Sequence, residues 1–173
     1  EDELPVSFAE QRLWFLDHMG GGAGYIMPSG FRARGALDVA ALEASLAAIA
    51  ARHEVMRTRF PAEDGIPRLE IASDSVIPLP LVDLSDLPES ERERATRELV
   101  TEDAHAPFDL ANGPLVRARL VRVADDDHVI LVTFHHIIAD GWSRGVFARE
   151  LMAHYRAHVE GRAPEVPELP VQY

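Results

Sequence analysis

The chain has 173 residues, 47% of them hydrophobic, and no cysteine, which fits one domain or one lobe of a larger one, able to bury roughly 70% of its unfolded surface. Its formal net charge is −12, with 17 scattered basic residues against 29 acidic ones, and this excludes a nucleic-acid partner, whose phosphates need clustered positive charge. No apolar segment approaches the ~20 residues of a membrane span and no signal-like start is present, so a cytoplasmic protein without membrane contact is expected.

The chain opens on Glu1 and closes after a Pro-rich stretch from Ala163 to Pro170 that reads as a linker, which suggests a piece of a longer polypeptide. Ser7-Phe8-Ala9-Glu10 has the capping-box pattern, in which hydroxyl and carboxylate each satisfy a free backbone N–H at a helix start. The spacing predicts a helix from about Phe8 to His18 that buries a wide apolar set: Phe8, Leu13, Trp14, Phe15 and Leu16. Gly20, Gly21, Gly22 and Gly24 then end it in a mobile loop. The loop has no Walker lysine and no preceding strand, so a phosphate cradle is disfavoured.

Tyr25 to Arg34 alternates as a strand. Asp38 can cap a second helix with Val39, Leu42, Leu46 and Ile49 on one stripe. After Arg52-His53-Glu54-Val55 the residues Met56 to Phe60 favour an extended form, and Pro61 with Asp64-Gly65 marks a turn before a short strand near Pro67 to Ala72. Two prolines in Val76 to Val82 confine any strand there to a sheet edge. A third helix, about Pro88 to Ala104, is dense in Glu and Arg with a thin seam of Ala95 and Leu99, the pattern of a solvated face. Pro107 to Pro114 is a turn-rich crossing.

Two strand-like runs, Leu115 to Val123 and His128 to His136, flank a loop of hairpin length. The second is apolar on both faces, so it should be an interior strand covered on both sides. Ser143 then caps a last helix, with Val146, Phe147, Leu151, His154 and Tyr155 in register, ending near Gly161. This order predicts an α/β fold, a two-layer sandwich of a mixed β-sheet packed with helices.

The chemistry gathers between the interior strand and the last helix, at His135-His136-Ile137-Ile138-Ala139-Asp140-Gly141-Trp142-Ser143. Neighbours in a strand point to opposite faces, so one histidine should meet an open surface and the other should be packed. By strand direction His136 shares a side with Phe134 and Val132, and His135 with Thr133 and Leu131. The same alternation disfavours a metal site, which needs both histidines on one face. Asp140 can close an Asx turn or pair with an arginine, and both Arg52 and Arg57 follow the second helix.

His135 to Gly141 matches the HHxxxDG signature of the condensation domains of non-ribosomal peptide synthetases, and Trp142-Ser143 extends the match. Ser7 to Leu16 resembles the first motif of that family. Arg52 to Phe60 resembles the second, with Met56 where leucine is usual. HHxxxDG is shared with chloramphenicol acetyltransferase, so the resemblance implies a chloramphenicol acetyltransferase-like fold. It covers the N-terminal lobe of a condensation domain, 1–163, followed by the start of a linker, 164–173. The C-terminal lobe, which completes the reaction channel, is not represented.

The resemblance further implies that His136 faces the channel as the catalytic histidine, with His135 beside it. Asp140 pairs with Arg57 as a structural brace, and Gly141 lines the turn. The reaction would join a donor acyl or peptidyl thioester to an acceptor aminoacyl thioester. Both ride on phosphopantetheine arms of carrier domains, with an adenylation domain in the same synthetase and no directly bound cofactor. The first two motifs look like the subtype that joins an L-configured donor to an L-configured acceptor, and the lobe alone should be inactive. The alternatives are a coenzyme A-dependent acyltransferase of the chloramphenicol acetyltransferase type and a non-catalytic docking domain.

Overall fold

The computed structural model describes residues 5–73, 76–167 and 169, with nothing said of the Ala23 side chain. The expected linker, 164–173, falls partly outside the described residues. Helix α1 (Phe8–Leu16) starts with the capping box the sequence promised: Ser7 N–H donates to the Glu10 carboxylate at 2.7 Å and Glu10 N–H to the Ser7 hydroxyl at 3.3 Å. It ends with its apolar pattern at Leu16, two residues short of the expected His18, in an irregular turn from Asp17 to Gly21 where Gly20 takes φ 91. Its wide apolar set is not all buried. Trp14 is buried, but Phe8 and Phe15 are 92% and 57% exposed, because a single helix touching the core on one face covers only that face.

Strand β1 (Ile26–Arg34) leads to α2 (Val39–Arg52), whose N-cap Asp38 accepts from Ala41 N–H at 2.9 Å. Leu42, Leu46 and Ile49 of its stripe are at most 2% exposed. A 3-10 turn, Glu54–Arg57, then takes part of the stretch expected to be extended, which leaves only β2 (Thr58–Arg59) in a ladder. The strands β3 (Ala62–Glu63) and β4 (Ile66–Pro67) form a hairpin over Asp64-Gly65, both at positive φ (53 and 78), the conformation an Asp-Gly turn favours. Strand β5 (Glu70–Ile71) pairs with β2.

The main sheet is mixed, in the order β1-β8-β7-β6. Here β6 (Leu81–Asp83) is the Pro-flanked edge, parallel to β7 (Val116–Ala124), and β7 and β1 flank β8 (Asp127–His135) antiparallel. β8 is the interior strand its apolar run implied. Ile130, Val132 and Phe134 join the large core with α2 and α4 (Gly141–Glu160), while Val129 and Leu131 join a second cluster with Ala95, Leu99 and Val100 of α3 (Glu89–His105). The mixed sheet packed with helices is as expected, but α3 covers the second face, so helices lie on both sides of the sheet and the layers number three rather than the expected two. Phe134 meets Phe147 edge-on at 5.1 Å, which fixes α4 on β8. α4 stops at Gly161, in the left-handed conformation at φ 64. Among the described residues no helix is long and apolar enough to cross a membrane.

Candidate active site

The most deeply inserted strand delivers its last residue to the site. β8 ends at His135, whose N–H donates to Leu115 O at 2.9 Å, and the next N–H, of His136, donates to Tyr25 O at 2.7 Å. Chain on both sides of β8 therefore clamps the pair. Ile138 N–H returns to His135 O at 3.1 Å, which closes a turn. Ile137, Ile138 and Ala139 bury their side chains to 3%, 2% and 7% exposure. Three apolar anchors thus hold the turn down and leave His136, Asp140, Gly141 and Trp142 exposed.

One histidine is open and one is packed. The direction expected for His136 needs correction, however: Phe134 and Val132 point into the core, whereas strand pairing stops at His135. His136 is a turn residue, freed from the alternation. His135 is fully buried. Its Nδ1 accepts from Ile137 N–H at 3.0 Å, and its Nε2 lies 3.3 Å from Asp17 Oδ1. Phe108 meets the ring edge-on at 6.0 Å, and Arg117 stacks over Phe108 at 4.1 Å while donating to the carbonyls of Asp103 and Ala106. Burial pushes the His135 pKa below the ordinary value of 6.5, against the pull of Asp17, so the ring stays neutral.

The expected pair of Arg57 with Asp140 does not form. Asp140 is the N-cap of α4, a role the sequence pattern had pointed to at Ser143: its Oδ1 accepts from Ser143 N–H and from the Ser143 hydroxyl, both at 2.7 Å. Those two bonds, the backbone one first, hold its carboxyl below the ordinary carboxylate range. Arg57 folds back instead, donating from Nε to Ala50 O at 3.2 Å and from its guanidinium to Ala72 O at 2.5 Å. The 3-10 turn aims it at the C-terminal end of α2, where carbonyls lack helical partners and carry partial negative charge. A Cβ built on Gly141 would meet nothing within 4 Å, so this position borders open space. Trp142 is 76% exposed and Ser143 is half-buried.

Two carboxylates that sequence reasoning passed over do the tying. Glu150, 6% exposed on α4, lies 2.7 Å from His53 Nε2 and 3.4 Å from Arg52 Nε. The segment after α2 is thus joined to α4 by His53, with Arg52 at the end of α2 beside it, and not by Arg57; Arg52 also donates to the Pro167 carbonyl. A signal existed, because Glu150 is four residues from both Val146 and His154 on the stripe that faces the core. Asp17 carried a subtler one: an acid at a helix C-terminus opposes the helix dipole by roughly 0.3–1 kcal/mol, which marks a residue kept for a tertiary contact.

Comparison with known proteins agrees with this geometry. The family model described as Condensation domain matches residues 1–173. The chain is 47% identical over 171 residues to one of the linear gramicidin synthase proteins of Brevibacillus parabrevis, covering 98% of the chain and 2% of that protein. It is 43% identical to phosphinothricin tripeptide synthetase PhsC of Streptomyces viridochromogenes, covering 98% of the chain and 16% of that protein. Among solved structures, the X-domain from teicoplanin biosynthesis superposes with a TM-score of 0.87 at 34% identity, over 99% of this chain and 36% of that one; it is also solved in complex with OxyB. The starter condensation domain of rhizomide synthetase RzmA has the same fold, with a TM-score of 0.87 at 23% identity over 96% of this chain and 40% of that one. The fold is chloramphenicol acetyltransferase-like, and the chain belongs to the condensation domain family of non-ribosomal peptide synthetases.

Proposed function

We propose that this chain is the N-terminal lobe of a condensation domain that forms a peptide bond between two carrier-bound thioesters, with His136 as its catalytic histidine. The observation that carries the reading is the turn itself: an exposed histidine whose backbone is fixed at the end of a buried strand, on a turn whose Gly141 borders open space, with its neighbour His135 packed away. The acceptor's α-amine attacks the donor's thioester carbonyl, the C–N bond forms, and the C–S bond breaks as the tetrahedral intermediate collapses. The donor arm leaves as a thiol and takes up the proton.

An α-amine has a pKa near ~7.7, so part of it is neutral without a strong base. His136 then has two tasks: to orient the amine, and to accept its proton as the intermediate forms. General-base help is worth about 10² to 10⁴ in rate, and orientation can be worth as much. Carrier domains bring both substrates on phosphopantetheine, an adenylation domain loads them, and a second lobe supplies the facing wall. Coverage of only 36–40% of the solved condensation-type chains supports that last point. The first two motifs favour an L-configured donor and acceptor.

The test is His136→Ala in the two-lobed domain, assayed for dipeptidyl transfer between loaded carriers. Turnover should fall by about 10² or more; undiminished turnover rejects the role. The X-domain that binds OxyB makes docking a second reading, and carrier or partner binding with wild-type strength and no turnover in the native two-lobed domain would favour it.

A further inference from the structure

Asp17 and the glycine-rich turn after it have no part in the mechanism above, yet they touch its support. The ring of His135 is pinned from both sides. Ile137 N–H points at Nδ1, 3.0 Å away, so that nitrogen is the acceptor and the neutral ring carries its proton on Nε2. Nε2 faces Asp17 Oδ1 at 3.3 Å. A ring flip or a second proton would lose the Ile137 bond. The ring and the carbonyl of His135 receive the N–H groups of Ile137 and Ile138, so the turn that displays His136 closes on His135.

Asp17 is itself clamped. Gly20 reverses the chain at φ 91, and Gly22 then lies so close that a Cβ there would stand 2.5 Å from Asp17 Oδ1. At Gly21 a Cβ would stand 2.9 Å from the Leu16 carbonyl oxygen. A side chain at position 22 would push the carboxylate aside, and one at position 21 would push the turn off the Leu16 carbonyl. We infer that Asp17 is a positioning residue for the transfer reaction, seated by Gly22 against His135 so that His135 holds the turn that presents His136. The inference rests on the proposed condensation chemistry.

In the two-lobed domain, Asp17→Ala should lower kcat for transfer between loaded carriers by about 10- to 100-fold, by analogy with carboxylates that orient metal-bound histidines, with KM for the carriers unchanged. Asp17→Asn keeps an oxygen that accepts the Nε2 proton and should recover most of the loss. Gly22→Ala should reproduce the loss by displacing the carboxylate, yet add nothing in an Asp17→Ala background. Nitrogen NMR of the 173-residue chain at about pH 8, above the ordinary histidine pKa, should show a slowly exchanging Nε2 proton on His135 that Asp17→Ala makes fast. Wild-type kcat in Asp17→Ala, an equal Gly22→Ala penalty in both backgrounds, or a His135 proton indifferent to Asp17 would each overturn the inference. If His136→Ala retains turnover, the proposed chemistry fails separately, because the His135 signal does not depend on turnover.

Discussion

His135 and His154 are both buried histidines, 0% and 6% exposed, and the fold serves them differently. His135 ends the central strand with a partner at each ring nitrogen, Ile137 N–H and Asp17. His154 sits in the middle of α4, and its buried Nε2 has no hydrogen-bond partner among the described residues. Burial pushes both pKa values below the ordinary 6.5. A satisfied ring can specify a geometry, because moving it breaks bonds; an orphaned ring only fills space, at a cost. The first therefore belongs to the site and the second to packing, though both read as histidine on a structured segment.

Truncation separates them most strongly. His135→Ala leaves Ile137 N–H unpaired inside the turn and opens a void in the end of the sheet, and should destabilise the chain by on the order of 3 kcal/mol in urea unfolding. A loss under about 1 kcal/mol would mean that the two ring bonds contribute little.

The shared pKa direction gives a pH test of intermediate size. Both rings bind protons less readily folded than unfolded, so above about 6.5 neither state is protonated and stability is level. As pH falls below that value the unfolded chain takes up protons first and stability declines until the folded pKa values are reached. Melting temperatures from pH 8 to about 5 should fall accordingly; a flat profile would contradict the burial of both.

Asp140 bears on how the site is braced. Were it half of a buried ion pair with Arg57, Asp140→Ala would cost about 3 to 5 kcal/mol. As the exposed N-cap of α4 it should cost about 1 kcal/mol. A double-mutant cycle with Arg57→Ala should show no coupling, since their partners are Ser143 on one side and Ala50 and Ala72 on the other.

What the sequence made legible follows the range of the interactions. The Ser7 capping box, the Asp38 cap, the stripe of α2, the Asp64-Gly65 turn and the Pro-bounded edge strand each depend on residues a few positions apart, and the structure has all of them. The double-sided run of β8 also announced its interior place. Long-range partnerships were not legible. His135 and Asp17 are 118 residues apart, and His53 and Glu150 are 97 apart; nothing local selects either partner. Arg57 was assigned by resemblance to the family's second motif, but the 3-10 turn that redirects it is a tertiary compromise between a helix end and a short strand pair.

The smallest expected effect is the most discriminating. His154→Leu removes an unpaired buried nitrogen and retains most of the side-chain volume, so the desolvation penalty disappears while the site stays filled. Stability at about pH 8 should be unchanged or higher by less than about 1 kcal/mol, and the decline below pH 6.5 should become shallower by the share that His154 carries. Transfer activity in the two-lobed domain should remain that of the wild type, because the orphaned ring nitrogen of His154 takes no part in holding the turn at 135–143. The same substitution at His135 should remove activity and stability together. If His154→Leu instead proved as damaging, its nitrogen would have a partner of its own, and the line between a ring that builds the site and a ring that only fills the core would have to be redrawn.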